Sequence, residues 1–181
     1  MNQSLKLKCA CACLLGALFA TPTTAAEIGP IQHAKVASNA IAQRLHSMPV
    51  LVIALLRAIS AISDYPFPAN FPNVAQVTHQ ELERHACGGK CTMVEAAYVP
   101  QEGIFVDSRL DPLNNEMDRS ILLHELVHHV QAVTGRYADL NACERRQKEE
   151  SEAFAIQNGY LASVRSGLSV ALPRFAYRCN G

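Results

Sequence analysis

Between Pro30 and Ser47, apolar residues recur at Ile31, Ala34, Ala37, Ile41 and Leu45, a spacing of threes and fours that puts them on one face of a helix until Pro49 interrupts the pattern. A second helix is predicted from Val50 to Ile62. It is very apolar but carries Arg57 and is too short to span a membrane, so it reads as a buried core helix. Asp64 to Pro72 cannot continue it, because its prolines lack the N–H and restrict their predecessors; the segment is an extended connector. Val74 to Val77 has strand character. Thr78 and Glu81 then have the spacing of a capping box, which starts a short helix running to about His85. Thr92 to Val99 and Ile104 to Asp107 are rich in strand formers and flank the turn sequence Pro100 to Gly103, so they read as a β-hairpin. Asn115 can cap a helix whose apolar positions include Ile121, Leu122, Leu126, Val127, Val130 and Val133, and which stops at Gly135. A last helix is predicted from about Cys143 to about Ser163. The predicted fold class is α+β, with helices dominant and one small sheet.

The first residues change the picture of the N-terminus. Lys6 and Lys8 precede an apolar run from Cys9 to Ala20, and small residues follow to Ala26, the three parts of a secretory signal peptide. The expected division is a leader over residues 1–26 and a single domain over residues 27–181. Sixteen basic residues balance 16 acidic ones over the chain, and loss of Lys6 and Lys8 makes the formal charge −2 with no block of like charge. This argues against a nucleic-acid partner or an anionic membrane surface. Hydrophobic residues at 49% and charged residues at 18% suit a packed core. Of the seven cysteines, Cys87, Cys91, Cys143 and Cys179 remain after the leader. An even count in an exported chain predicts two disulfides, Cys87 with Cys91 across Gly88-Gly89, and Cys143 with Cys179. The competing use, a structural zinc site on His85, Cys87 and Cys91, lacks an evident fourth ligand.

The chemistry concentrates in Ser120 to Gln131. His124 and His128 lie four apart and share a helix face, so one rigid element can offer two imidazoles to one metal ion. Glu125 lies about 100° round the axis from His124, close enough to reach a water at that site without occupying the metal. The trio sits in an apolar helix, where ionisable groups are costly unless paired or metal-bound. A catalytic zinc needs a third protein ligand and an open position. Gln131 and Thr134 occupy the positions where a metzincin would have glycine and histidine, so the ligand must come from elsewhere, and Glu149, Glu150 and Glu152 are the candidates. Glu150 shares a largely apolar face with Phe154, Gln157 and Leu161; Glu149 lies with Ala153, Ile156 and Tyr160, and Glu152 with Ala155, Gly159 and Ser163.

On these residues the chain resembles the gluzincin side of the zincin metallopeptidases. Their second motif is a glutamate three residues before a small residue, as Glu150 stands before Ala153. The resemblance covers about Cys87 to Leu161 and is closest to small exported bacterial zincin-like proteins. It implies a mostly helical zincin-like fold with the hairpin packed on the active-site helix, and zinc held by His124, His128 and Glu150. It also implies Glu125 as general base and acid in the hydrolysis of a peptide or protein substrate, offered to an edge strand of the hairpin. Phe154 stands where the thermolysin-like pattern has an aspartate that orients a histidine, so Asp139, Glu152 or a backbone carbonyl is expected to take that role. His129, Tyr137 and Tyr160 have the chemistry to stabilise an oxyanion. His33, His46, His79 and His85 read as ordinary histidines. The expected location is the periplasm or the exterior, without a stable membrane anchor. The second functional reading is an inactive zincin scaffold that binds zinc or a partner; the third is a disulfide-braced helical interaction protein without metal.

Overall fold

A computed structural model describes residues 47–171; the leader, the predicted helix from Pro30 to Ser47 but for its last residue, and Cys179 lie outside the described residues. Helix α1 spans Met48–Ile62 and begins two residues earlier than the sequence suggested, because Pro49 falls in its first turn, where the missing N–H has no helical partner in any case. Leu51, Val52, Leu55, Leu56 and Ile59 form its buried face. No helix among the described residues is long and apolar enough to cross a membrane.

After the proline-rich connector comes strand β1, Val74–Val77, and then helix α2, His79–Cys87. Both halves of the Thr78–Glu81 capping box form, and Gly88 closes the helix at φ 63°. Cys87 and Cys91 are disulfide-bonded, which removes the alternative of a zinc site on these thiols and points to an oxidising, non-cytoplasmic compartment. Cys143 is disulfide-bonded as well.

Strands β2 (Ala96–Val99) and β3 (Gly103–Asp107) form the antiparallel hairpin, with Ala97 opposite Phe105. The first strand is shorter than predicted. The disulfide ties Cys91 to the end of α2, and pairing with β3 begins only at Glu95, whose carbonyl accepts a hydrogen bond from Asp107 N. Strand β1 pairs in parallel with β3, so the sheet order is β1-β3-β2 and the middle strand is the second arm of the hairpin. This close approach requires Gly103: at φ +126°, a Cβ there would stand 2.4 Å from the carbonyl oxygen of Asn73.

Helix α3 spans Glu116–Thr134, capped by the Asn115 side chain and closed by Gly135 at φ 67°. Helix α4 spans Ala142–Ser163 and starts from the Asn141 side chain, which accepts from Cys143 N and Glu144 N. α3 is the centre of the molecule, packing against α1, α4, β2 and β3. Leu122, Leu123, Leu126, Val127 and Val130 are fully shielded from solvent. With neighbours on several sides, α3 is apolar over much of its circumference rather than along one stripe. The fold is a mostly helical α+β arrangement, as predicted.

Candidate metal centre

Met117, Ile121, His124, His128 and Gln131 run down one side of α3 at intervals of four and three, and all line an open cleft of about 970 Å³. Glu150 enters the cleft from α4. His124 Nε2 lies 3.1 Å from His128 Nε2 and 3.3 Å from Glu150 Oε2, and His128 Nε2 lies 3.7 Å from the same oxygen. One ligand atom from each of the three residues falls within 4.8 Å of the others, so the group can hold a metal ion. Of the three glutamates that sequence left as candidates, the structure brings Glu150 to the histidines. Glu149 contributes its backbone carbonyl, which accepts from Gln131 Nε2, and Glu152 pairs with Arg136 and accepts from Gln131.

The orienting partners of the histidines are not those predicted. Gln157 Oε1 lies 3.1 Å from His124 Nδ1, and Gln131 Oε1 lies 2.9 Å from His128 Nδ1; Asp139 is exposed, and Glu152 acts one step further out, through Gln131. Two amides can replace the expected carboxylate because each is itself fixed. Gln157 Nε2 donates to Ser120 Oγ at 3.0 Å, and that hydroxyl donates to Met117 O at 2.7 Å. Gln131 Nε2 donates to Glu149 O and to Glu152 Oε2, neither of which can donate in return. Both amide oxygens must therefore face the rings. The network thus assigns the proton of each neutral imidazole to Nδ1 and leaves the two Nε2 lone pairs pointing at Glu150 and at each other. The signal was present in the sequence only as spacing: Gln131 is three residues after His128, and Gln157 is seven after Glu150.

Three acceptors converging this way need a cation among them. In the metal-free protein a proton fills that need. Burial opposes a charged His128, but the hydrogen bond and charge of Glu150, the charge of Glu125 and the bond to Gln131 raise it to about 9. Burial likewise opposes a charged Glu150, yet hydrogen bonds to His124 and His128 hold its carboxyl well below the usual carboxylate range. The donor set of two imidazole nitrogens and one carboxylate oxygen, with Nδ1 tied back, fits a divalent transition metal. Phe154 packs its ring edge-on to His124 at 4.5 Å between centroids, filling with an apolar wall the place expected for an acid.

Glu125 is half-buried on the cleft wall, and its Oε2 accepts from Tyr98 N on β2 at 2.7 Å. Since Glu95 and Asp107 bond to each other across the hairpin, alternation turns the peptide groups of Ala96 and Tyr98 away from β3 and towards the cleft. The three residues considered for an oxyanion all lie off the cleft lining. His129 is buried, with Nε2 at 3.1 Å from Asn70 O; Tyr160 Oη donates to Glu116; and Tyr137 lies against Arg136. His79 bonds to Asp107 at 2.7 Å, His85 stacks on Phe105, and His33 and His46 lie outside the described residues.

A scan against family models matches residues 44–174 to a family described as a domain of unknown function, DUF6647. The match spans well over half of the chain, and the chain belongs to that family. No curated protein and no solved structure matches it.

Proposed function

We propose that this chain is an exported, zinc-dependent peptide hydrolase of the gluzincin type. The observation that carries the reading is the convergence of His124 Nε2, His128 Nε2 and a Glu150 oxygen within 4.8 Å, with both ring tautomers set by glutamines. The leader sequence and the Cys87–Cys91 disulfide support export, and the resemblance of the two helical motifs supports the reaction class.

His124, His128 and Glu150 would hold the zinc, whose contribution when bound is to polarise the scissile carbonyl and to acidify water. Glu125 then takes the proton of the attacking water, carries it on its carboxylate and delivers it to the leaving amine. The 2.7 Å bond from Tyr98 N holds that carboxylate at the cleft wall. The outward-facing peptide groups of Ala96 suit an extended substrate laid along β2 as an added strand. Phe154 sets an apolar ring against the His124 side of the site.

Replacing Glu125 by Gln keeps the hydrogen-bonding shape but removes the base. Zinc content should be unchanged while peptide hydrolysis by the mature protein falls by about 10²- to 10⁴-fold. Full activity in this variant rejects the mechanism. A wild-type protein that holds zinc yet cleaves no peptide supports the inactive scaffold instead.

A further inference from the structure

Three arginines, Arg136, Arg145 and Arg146, line the same cleft. Arg136 is committed, paired with Asp64 and Glu152 and lying over the Tyr65 ring. Arg145 and Arg146 are exposed and have no carboxylate partner among the described residues. Helical spacing would allow partners, since Glu149 is four residues after Arg145 and Glu150 four after Arg146. Glu150 instead turns its carboxylate to the histidines. Neither arginine serves the helix, because both lie near the N-terminus of α4, where the dipole disfavours cations. Arg146 is one turn from Glu150 on the same face, roughly 6 Å along the axis, which matches about two residues of extended peptide.

We propose that Arg145 and Arg146 form a carboxylate subsite of this cleft. The preferred peptides then carry an acidic side chain or a free C-terminus about two residues from the bond that is cut. The inference rests on the hydrolase reading for the identity of the bond, but the subsite itself requires only binding. Guanidinium groups suit a carboxylate through paired charge-assisted bonds. Glu95, Asp118 and Glu149 also line the cleft and oppose a polyanion, which favours a single carboxylate over a nucleic acid strand.

The test uses zinc-loaded Glu125→Gln protein, so that substrates bind without being consumed, and short labelled peptides in which Glu or Gln is scanned through each position. Each peptide is made with a free and an amidated C-terminus, which separates the two sources of carboxylate. Fluorescence anisotropy should show an acid-bearing peptide binding about tenfold tighter than its amide counterpart. The preference should vanish in the Arg145→Gln/Arg146→Gln double variant, whose zinc content and melting temperature stay unchanged and whose affinity for neutral peptides is retained. Equal binding of acid and amide peptides, no measurable binding of the acid peptides, or a preference that survives the double substitution overturns the proposal. An arginine-dependent preference in the Glu125→Gln protein, beside a zinc-loaded wild type that hydrolyses none of these peptides, upholds the subsite and rejects the hydrolase reading alone.

Discussion

The Nε2 atoms of His124 and His128 face each other at 3.1 Å, each with its Nδ1 proton directed to a glutamine oxygen. Two lone pairs at that separation, with the Glu150 carboxylate beside them, repel unless a cation lies between, and the energetic behaviour of the protein should follow from that cation.

Zinc should therefore bind in a one-to-one ratio and stabilise the fold. At free zinc a hundredfold above the dissociation constant, linkage supplies about 2.7 kcal/mol. That should raise the melting temperature by several degrees. His128→Ala and Glu150→Ala should lose most of this shift, and Glu149→Gln should keep it. Metal analysis and thermal melts with and without chelator check the prediction; an unchanged shift in Glu150→Ala would assign the third ligand elsewhere.

Gln131→Leu removes the acceptor for the His128 Nδ1 proton and the bridge to Glu152. Zinc affinity measured by chelator competition should fall about 10- to 100-fold, as for other partners that orient metal ligands. Gln157→Leu should act similarly on His124 and also leave the buried Ser120 hydroxyl short of a donor. Asp139→Asn should bind zinc like the wild type, since Asp139 is exposed and away from the rings.

The metal-free protein should lose stability on the alkaline side. His128 is raised from 6.5 to about 9 in the folded state. Its protonated form therefore contributes stability that is fully present below about 6.5 and is lost as pH rises through 9. Glu150 is shifted the other way, so its contribution is present above 4.5 and is lost as pH falls through its lowered value. Melting temperatures of metal-free protein should decline between pH 6.5 and 9, and zinc binding near pH 7.5 should release a proton detectable by calorimetry in buffers of different ionisation enthalpy. A flat alkaline limb without proton release would contradict the arrangement.

Gly103→Ala should be severe. Its φ of +126° disfavours any side chain, and the new Cβ would meet the Asn73 carbonyl at 2.4 Å, where only backbone can yield. We expect a loss of about 2 kcal/mol or more, seen in denaturant titrations with an unchanged slope. A near-neutral effect would mean that β1 and β3 can separate there without penalty.

The sequence by itself determined the local elements and half of the site. The Thr78–Glu81 box, the Asn115 cap and the Gly135 stop are short-range hydrogen-bonding and dihedral requirements, so their residues reveal them directly. His124 and His128 were legible for the same reason, because helical periodicity alone puts residues four apart on one face. Only the tertiary structure decided what depends on how elements meet. Three glutamates on three faces of α4 all remain candidates in the sequence, with Glu150 favoured by its apolar face, until the packing of α4 on α3 turns that face inward, which brings Glu150 to the histidines and sends Glu152 to Arg136 and Gln131. The parallel pairing of β1 with β3 joins segments that are distant in the chain. The two glutamines orient the rings because of what holds their far ends, Ser120 for Gln157, and Glu149 and Glu152 for Gln131. Their far ends are supplied by packing across two helices, a distance that neither residue type nor spacing records.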